Sequence, residues 1–537
     1  MKNIVGKTGI VGALTVCAVM LGGVVRSAQQ LGPSTLQSPY VLPSLPVVGT
    51  ASLLSVNDTP GGYRMVGIPD GLGAFDNGDG TFTVLMNHEL GNTNGVMRRH
   101  GGRGAFVSKW IVDRETLAVT SGSDLIERVF LWNATTQRSD LFTTPFSFNR
   151  FCSADLPEPT AFFNPASGLG SRERIFMNGE EGGATGYQVA TVVTGADAGN
   201  AYALGKFNLA TNGSGINAVG ASENSLASPF PQDKTIVITN HDGGTGIMGN
   251  AVAVYVGTKQ ATGNEVEKAG LMNGTLKFVN VAGNPTEIVD NTTRATNITN
   301  GARFTLSGTT STVFSRPEDG AWNPLNPREY YFVTTDRLDQ VADGVGTQIG
   351  QTRLWRLTFD DIHNPDLGGK IDLLINGRSV GSDKVNMFDN ITVNENSGVI
   401  VLVEDVGNAA HNGKVWVYDP STDQLTRVAN HDPARFGGIG IAATAPFNQD
   451  EEASGVLDVS SILGAGRYLY VTQAHYAPAA NTAEVVEGGQ LQIARIPFPV
   501  AEEKDRCKGS GWGDLFRANG TAFKNQGDCV QYVNTGK

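Results

Sequence analysis

Acidic side chains recur at matching places along this sequence. Asp70, Glu158, Glu223, Glu318, Asp389 and Glu452 each open a short apolar segment, and a second apolar run then ends in Glu89, Glu180-Glu181, Asp242, Asp336, Glu404 or His475. If the openings meet at one height, six carboxylates without counter-charge repel one another and raise each other's pKa, so cations are expected among them. Oxygen-only ligands suit calcium or another hard cation. The expected ligand set is Glu89, Glu158, Glu180, Glu181, Glu223, Asp242, Glu318, Asp319, Asp389, Glu404 and Glu452. The local alternative is that strand-end Asp and Asn residues satisfy turn backbone groups. That accounts for any one of these acids more easily than for all six openings.

The elements that must bring them together are hairpins. Each copy reads as an acid or Asn-rich opening, a short apolar strand, a turn often marked by Asn-Pro or Gly, and a second strand such as Thr235-Ile236-Val237-Ile238 or Val401-Leu402-Val403. Outer strands follow several copies, for instance Val252–Val256 and Lys414–Tyr418. Six such units predict an all-β, six-bladed β-propeller over residues 61–497, with each opening strand lining a central channel. A large β-sandwich assembly is the competing fold.

Other catalytic signatures are absent. No His-Glu-x-x-His spacing supports zinc, no Gly-x-Ser-x-Gly elbow supports a serine hydrolase, and no Gly-x-x-x-x-Gly-Lys loop supports nucleotide binding. His88, His241 and His475, at second-strand ends, are expected as neutral partners of channel carboxylates. Cys152 reads as a small buried hydrophobe, with metal-thiolate chemistry as the alternative.

The chain ends fix the compartment. Lys2 and Lys7 precede an uncharged run, Gly9 to Val25, that closes on Ser27 and Ala28, the pattern of a secretory signal peptide over residues 1–28. A membrane anchor is the alternative, but the run is short of the roughly 18 to 20 apolar residues a span needs. With no Arg-Arg pair before it, the general secretory route to a periplasmic or extracellular location is expected, with no membrane span after cleavage. Removing Lys2, Lys7 and Arg26 takes the net charge from -12 to -15, which argues against nucleic acid as a partner. Residues 29–60 read as an N-terminal extension, and 498–537 as a small module whose Cys507 and Cys529 would pair in an oxidising compartment.

Arg316-Pro317-Glu318-Asp319 ahead of Asn323-Pro324, together with Asn87-His88-Glu89, Phe388-Asp389-Asn390 and Glu404-Asp405, resembles the PhoX family of exported alkaline phosphatases. Glu451-Glu452-Ala453-Ser454-Gly455, Gln473-Ala474-His475-Tyr476 and Tyr255-Val256-Gly257-Thr258-Lys259 are similar to a long-chain subgroup of it, so the resemblance spans about residues 60–497. It implies a six-bladed propeller with a calcium and iron cluster that hydrolyses phosphomonoesters, with Arg316 and Asn390 holding the substrate phosphate. Glu318, Glu223 and Glu180 or Glu181 would then be metal ligands. Iron-binding members carry Cys immediately before the Glu-Glu pair, where this chain has Gly179, so calcium is expected and iron is left in question. Residues 506–537 resemble a C-terminal module of secreted prokaryotic proteins.

Three functions fit these residues. The first is metal-assisted hydrolysis of a phosphorylated small molecule, with Arg316 neutralising the phosphoryl group. The second is a calcium-stabilised propeller that binds a ligand or surface without turnover. The third is a lactonase-like propeller hydrolase, which gives Arg316 no role.

Overall fold

The computed structural model of the chain describes residues 29–337, 350–377, 385–498 and 504–535, apart from residues 184, 408, 410, 510, 514, 518 and 519. The segment read as a signal peptide lies outside the described residues.

Six antiparallel hairpins organise the fold. They pair β1 (Pro69–Asp76) with β2 (Thr81–His88), β3 (Phe151–Asp155) with β4 (Ile175–Glu180), and β5 (Leu226–Ala227) with β6 (Lys234–Asn240). The others pair β7 (Pro317–Trp322) with β8 (Glu329–Thr334), β9 (Phe388–Val393) with β10 (Ile400–Glu404), and β11 (Glu451–Asp458) with β12 (Arg467–Ala474). Each opening strand contacts the next, and β11 returns to β1, so the six opening strands line a closed ring. The third and fourth hairpins share one nine-stranded sheet, because Ala302–Ser307 pairs with an outer strand of each. The arrangement is all-β and propeller-like.

Second strands such as Ile236-Val237-Ile238 are apolar on both faces because each sheet packs against a neighbour on either side. Leu72, Val84 and Trp110 of the first sheet interlock with Leu469 and Ile493 of the last. Tyr331, Val333 and Leu354 meet Phe388, Ile391 and Leu402 in the same way. Each fully buried side chain of this kind contributes about 1.5–3 kcal/mol. These wedges hold the opening strands at fixed spacing.

The N-terminal segment does not stand apart from the sheets. Gly49–Ser55 pairs with Gly488–Arg495, and Val41–Pro43 pairs with Gln424–His431. Residues from both ends of the chain thus share the sheet that completes the ring, leaving little exposed edge. At the other end Cys507 and Cys529 are bridged, a closure worth about 3 kcal/mol for a short loop. The helix Gln526–Thr535 covers Leu515 and Phe523, and Arg506 ties the module to Asp419 at 2.9 Å.

Candidate metal centre

One register relation builds the site six times. Pro69, Phe151, Ser222, Pro317, Phe388 and Glu451 pair with His88, Glu180, His241, Thr334, Glu404 and Ala474. The next residues on the opening strands are Asp70, Cys152, Glu223, Glu318, Asp389 and Glu452, and the residues after the second partners are Glu89, Glu181, Asp242, Thr335, Asp405 and His475. In the first, second, fourth and fifth hairpins a bulge follows at once, between Pro69 and Leu72, Phe151 and Ala154, Pro317 and Gly320, and Phe388 and Ile391. A bulge re-aims the side chains beside it, here toward the ring axis.

The resulting mouth is lined by Asp70, Cys152, Glu223, Glu318, Asp389 and Glu452 from the opening strands, and by Glu89, Glu181, Asp242 and Asp405 from the second positions. Arg150, Arg316 and Asn390 complete it. The Gln473 amide nitrogen lies 3.1 Å from Asp70 Oδ2, 3.0 Å from Glu89 Oε2 and 3.1 Å from Glu452 Oε1. Asn390 Oδ1 accepts from the Gly455 amide and lies 2.7 Å from Ser454 Oγ, whose oxygen is also 2.6 Å from Asp70 Oδ1. Arg316 donates through Nε to Asp242 Oδ2 at 2.8 Å and places Nη2 3.3 Å from Glu318 Oε1.

Four of the expected ligands lie elsewhere. Side chains alternate along a strand, so the residues that pair across each hairpin face away from those one step on. Glu180 therefore turns from the mouth and accepts the Asn149 and Tyr187 amides at 3.0 and 3.1 Å. Glu404 likewise accepts from Trp416 Nε1 at 2.7 Å and from the Lys414 amide at 3.0 Å. Asp319, within the bulge of the fourth hairpin, accepts from Asn224 Nδ2 at 2.8 Å and the Ile391 amide at 3.2 Å, tying three neighbouring hairpins together. Glu158 sits on the surface, 69 % exposed and 3.8 Å from Arg174. Asp336 is buried against Arg294, and Thr335, which takes the equivalent register position, is not among the residues that line the mouth.

The second hairpin corrects two readings together. Its opening acid is not Glu158, and its ring member is Cys152, six residues earlier. The thiol is buried, as a small hydrophobe would be, but it stands among carboxylates and donates to Glu181 Oε2 at 3.3 Å. Gly179 is no ligand position, since a Cβ there would lie 2.4 Å from Ser222 Oγ and 2.5 Å from Ser222 Cβ. The glycine is required by close strand packing. The missing thiolate at 179 is therefore no measure of which metal fits. Of the mouth residues outside the expected ligand set, Cys152 and Asp405 stand one step past a cross-hairpin pair and Arg150 stands one step before one, positions that only the register across each hairpin reveals.

Among the described residues, charge in the mouth is far from balanced, with nine carboxylates facing two guanidiniums. Burial first, and then neighbouring carboxylates, push Asp70, Glu223, Glu318, Asp389 and Glu452 well above the ordinary range. Burial and Glu89 push Glu181 up to about 7, and burial lifts Asp405 to about 6 against the pull of Arg316. Glu89 is the exception: burial pushes it up, but Arg150 and the Gln473 amide outweigh burial and hold it low. Burial lifts the Cys152 thiol as well.

The histidines do not serve as channel partners. Burial keeps His88 and His241 neutral, down to about 3 and about 4, against Ser108 and Thr239. Burial also works against protonation of His475, but the Glu487 carboxylate at 2.6 Å prevails and raises it to about 9.

The donor set fits cations. Ligand atoms within 4.8 Å of one another come from Asp70, Glu89 and Cys152, from Cys152, Glu181 and Glu223, and from Glu223, Asp242 and Glu318. Asp389 Oδ2 and Gln473 Oε1 are buried without a hydrogen-bond partner among the described residues. Unpaired buried oxygens of this kind are costly unless something binds them.

No protein-family model matches the sequence, and no curated protein matches it. Among solved structures, Pseudomonas fluorescens PhoX in complex with vanadate, a transition state analogue, aligns with a TM-score of 0.51 at 11% identity, covering 83% of this chain and 94% of that one. A luciferin-regenerating enzyme aligns at 0.37 with 7% identity, covering 80% of this chain and 92% of its own. Oligogalacturonate lyase from Vibrio parahaemolyticus aligns at 0.32 with 7% identity, covering 81% and 99%. The first likeness speaks for the fold alone. The other two are too distant to carry an argument.

Proposed function

We propose that this chain is an exported six-bladed propeller that hydrolyses phosphate esters of small molecules with cations held in its acidic mouth. The observation that carries this reading is the convergence of nine carboxylates and a thiol around Arg316. The six hairpins in common register support the blade count. The bridge between Cys507 and Cys529 is consistent with export by the general secretory route.

Asp70, Glu89, Glu181, Glu223, Asp242, Glu318, Asp389, Asp405 and Glu452 would hold the cations, with calcium favoured by the oxygens and Cys152 adding one donor suited to a transition metal. Cations bound there supply Lewis-acid polarisation of the phosphoryl group. Arg316 binds the phosphoryl oxygens through its planar fork, whose geometry matches two of them at once. Its position is fixed from behind: Glu287 accepts the Ser315 amide at 2.7 Å and pairs with Arg353 at 2.8 Å. Asn390, locked by Ser454 and Gly455, stands on the neighbouring fifth hairpin. The Gln473 NH2 sits among three carboxylates and can donate to two of them at a time before any cation binds.

The test is hydrolysis of p-nitrophenyl phosphate by protein stripped with chelator and then reloaded with calcium, alone or with iron. Activity should vanish on stripping and return on loading. Calcium-loaded, folded protein that turns over neither this ester nor a bis-ester would leave a calcium-binding propeller without catalysis as the function.

A further inference from the structure

We propose that Arg150 is a second anion-holding group of this mouth, the counterpart of Arg316, and that the pair takes a terminal phosphoryl dianion between them. The proposal rests on the reading of the mouth as an anion site and names the charge state that it selects.

The two arginines occupy one structural position. Arg150 immediately precedes the Phe151–Asp155 strand as Arg316 immediately precedes Pro317–Trp322. Both adopt the left-handed backbone region, with φ of 51° and 58°, which residues with a side chain rarely enter. The Arg150 carbonyl accepts the Glu181 amide at 2.9 Å, and the Arg316 carbonyl accepts the Thr335 amide at 3.0 Å. Ile68 and Met387 hold the same place in the first and fifth hairpins, with φ of 50° and 41°. The conformation therefore recurs in four of the six hairpins, and in two of these a guanidinium stands on it.

Each guanidinium spans two mouth carboxylates. Arg150 reaches Glu89 Oε1 and Glu181 Oε2, both at 2.5 Å from Nη2, as Arg316 reaches Asp242 and Glu318. All three ligand groups of the mouth include a carboxylate that one of the arginines holds. Cations claiming those oxygens would leave the N–H donors of both arginines facing the mouth. Arg150 lines the mouth, and half of its side chain is exposed. The two stand on either side of the third hairpin, which contributes Glu223 and Asp242. Two forks beside hard cations favour a group carrying two charges and three free oxygens over a diester carrying one.

Binding of inorganic phosphate to calcium-loaded protein, followed by calorimetry, tests this without turnover. Arg150→Met should weaken phosphate binding about 10- to 100-fold, and Arg150→Lys should recover part of the loss. Calcium affinity should stay the same or rise, whereas a purely structural arginine would lower calcium affinity and melting temperature together. In the parent protein, phosphate should also shield Arg150 from phenylglyoxal, read by mass spectrometry, which requires no variant to fold. Unchanged phosphate affinity in folded Arg150→Met, no shielding, or no phosphate binding by the parent would overturn the proposal. Phosphate binding that depends on Arg150 in a protein that hydrolyses no phosphoester would uphold it and remove the hydrolase reading instead.

Discussion

Cys152 takes in the second hairpin the place that Glu318 takes in the fourth: each follows by one the residue that pairs across the hairpin, Phe151 with Glu180 and Pro317 with Thr334. A thiol thus enters a ring whose other five members are carboxylates. The mouth has one donor unlike the rest, and that donor is shared by two ligand groups.

Cobalt(II) added to stripped protein should give a thiolate-to-metal charge-transfer band, because Cys152 is the one sulfur lining the mouth among the described residues. Cys152→Ser should lose the band and keep its calcium binding. A band that survives the substitution, or none in the parent, would place the metal elsewhere.

Removing cations should make stability depend on pH in one direction. Glu181 rises from 4.5 to about 7 and Asp405 from 3.8 to about 6 on folding, so the folded chain binds more protons than the unfolded one through that window. Stability contributed by these groups is complete below about pH 4 and is lost as pH rises toward 7. The melting temperature of EGTA-treated protein should therefore fall across this range, and calcium should reverse the fall. A flat profile unaffected by calcium would sink the metal-ring account.

Arg316→Lys should lower phosphomonoesterase activity by a factor of about 10 to 1000 with the fold intact, since a point charge replaces a fork. Steady-state rates beside a melting curve decide this, and equal activity would remove Arg316 from the site.

Arg353→Met should cost about 3–5 kcal/mol in denaturant unfolding, because Glu287 would remain buried without its ion pair. A loss under 1 kcal/mol would mean that Ser315 and Thr334 suffice to satisfy Glu287.

The hairpins were legible because apolar runs such as Val401-Leu402-Val403 and their turns repeat along the chain. The site was legible only to within one residue. Glu404 and Asp405, or Glu180 and Glu181, are adjacent acids, and only the pairing across each hairpin decides which one faces the mouth. Glu158 misled because an acid was expected in every opening, whereas the second hairpin uses a thiol. Arg150 was hidden for another reason: its role comes from a left-handed backbone position that no local pattern announces. The N-terminal strands were hidden too, since their partners lie more than 380 positions away.

Elemental analysis of protein purified without chelator tests the metal centre most directly, with the Glu223→Gln, Glu318→Gln double variant measured beside it. The parent should carry at least one metal ion per chain, calcium foremost, and the folded variant should carry fewer. A parent free of metal, or a folded variant with undiminished content, would contradict the assignment of the acidic mouth as a metal centre.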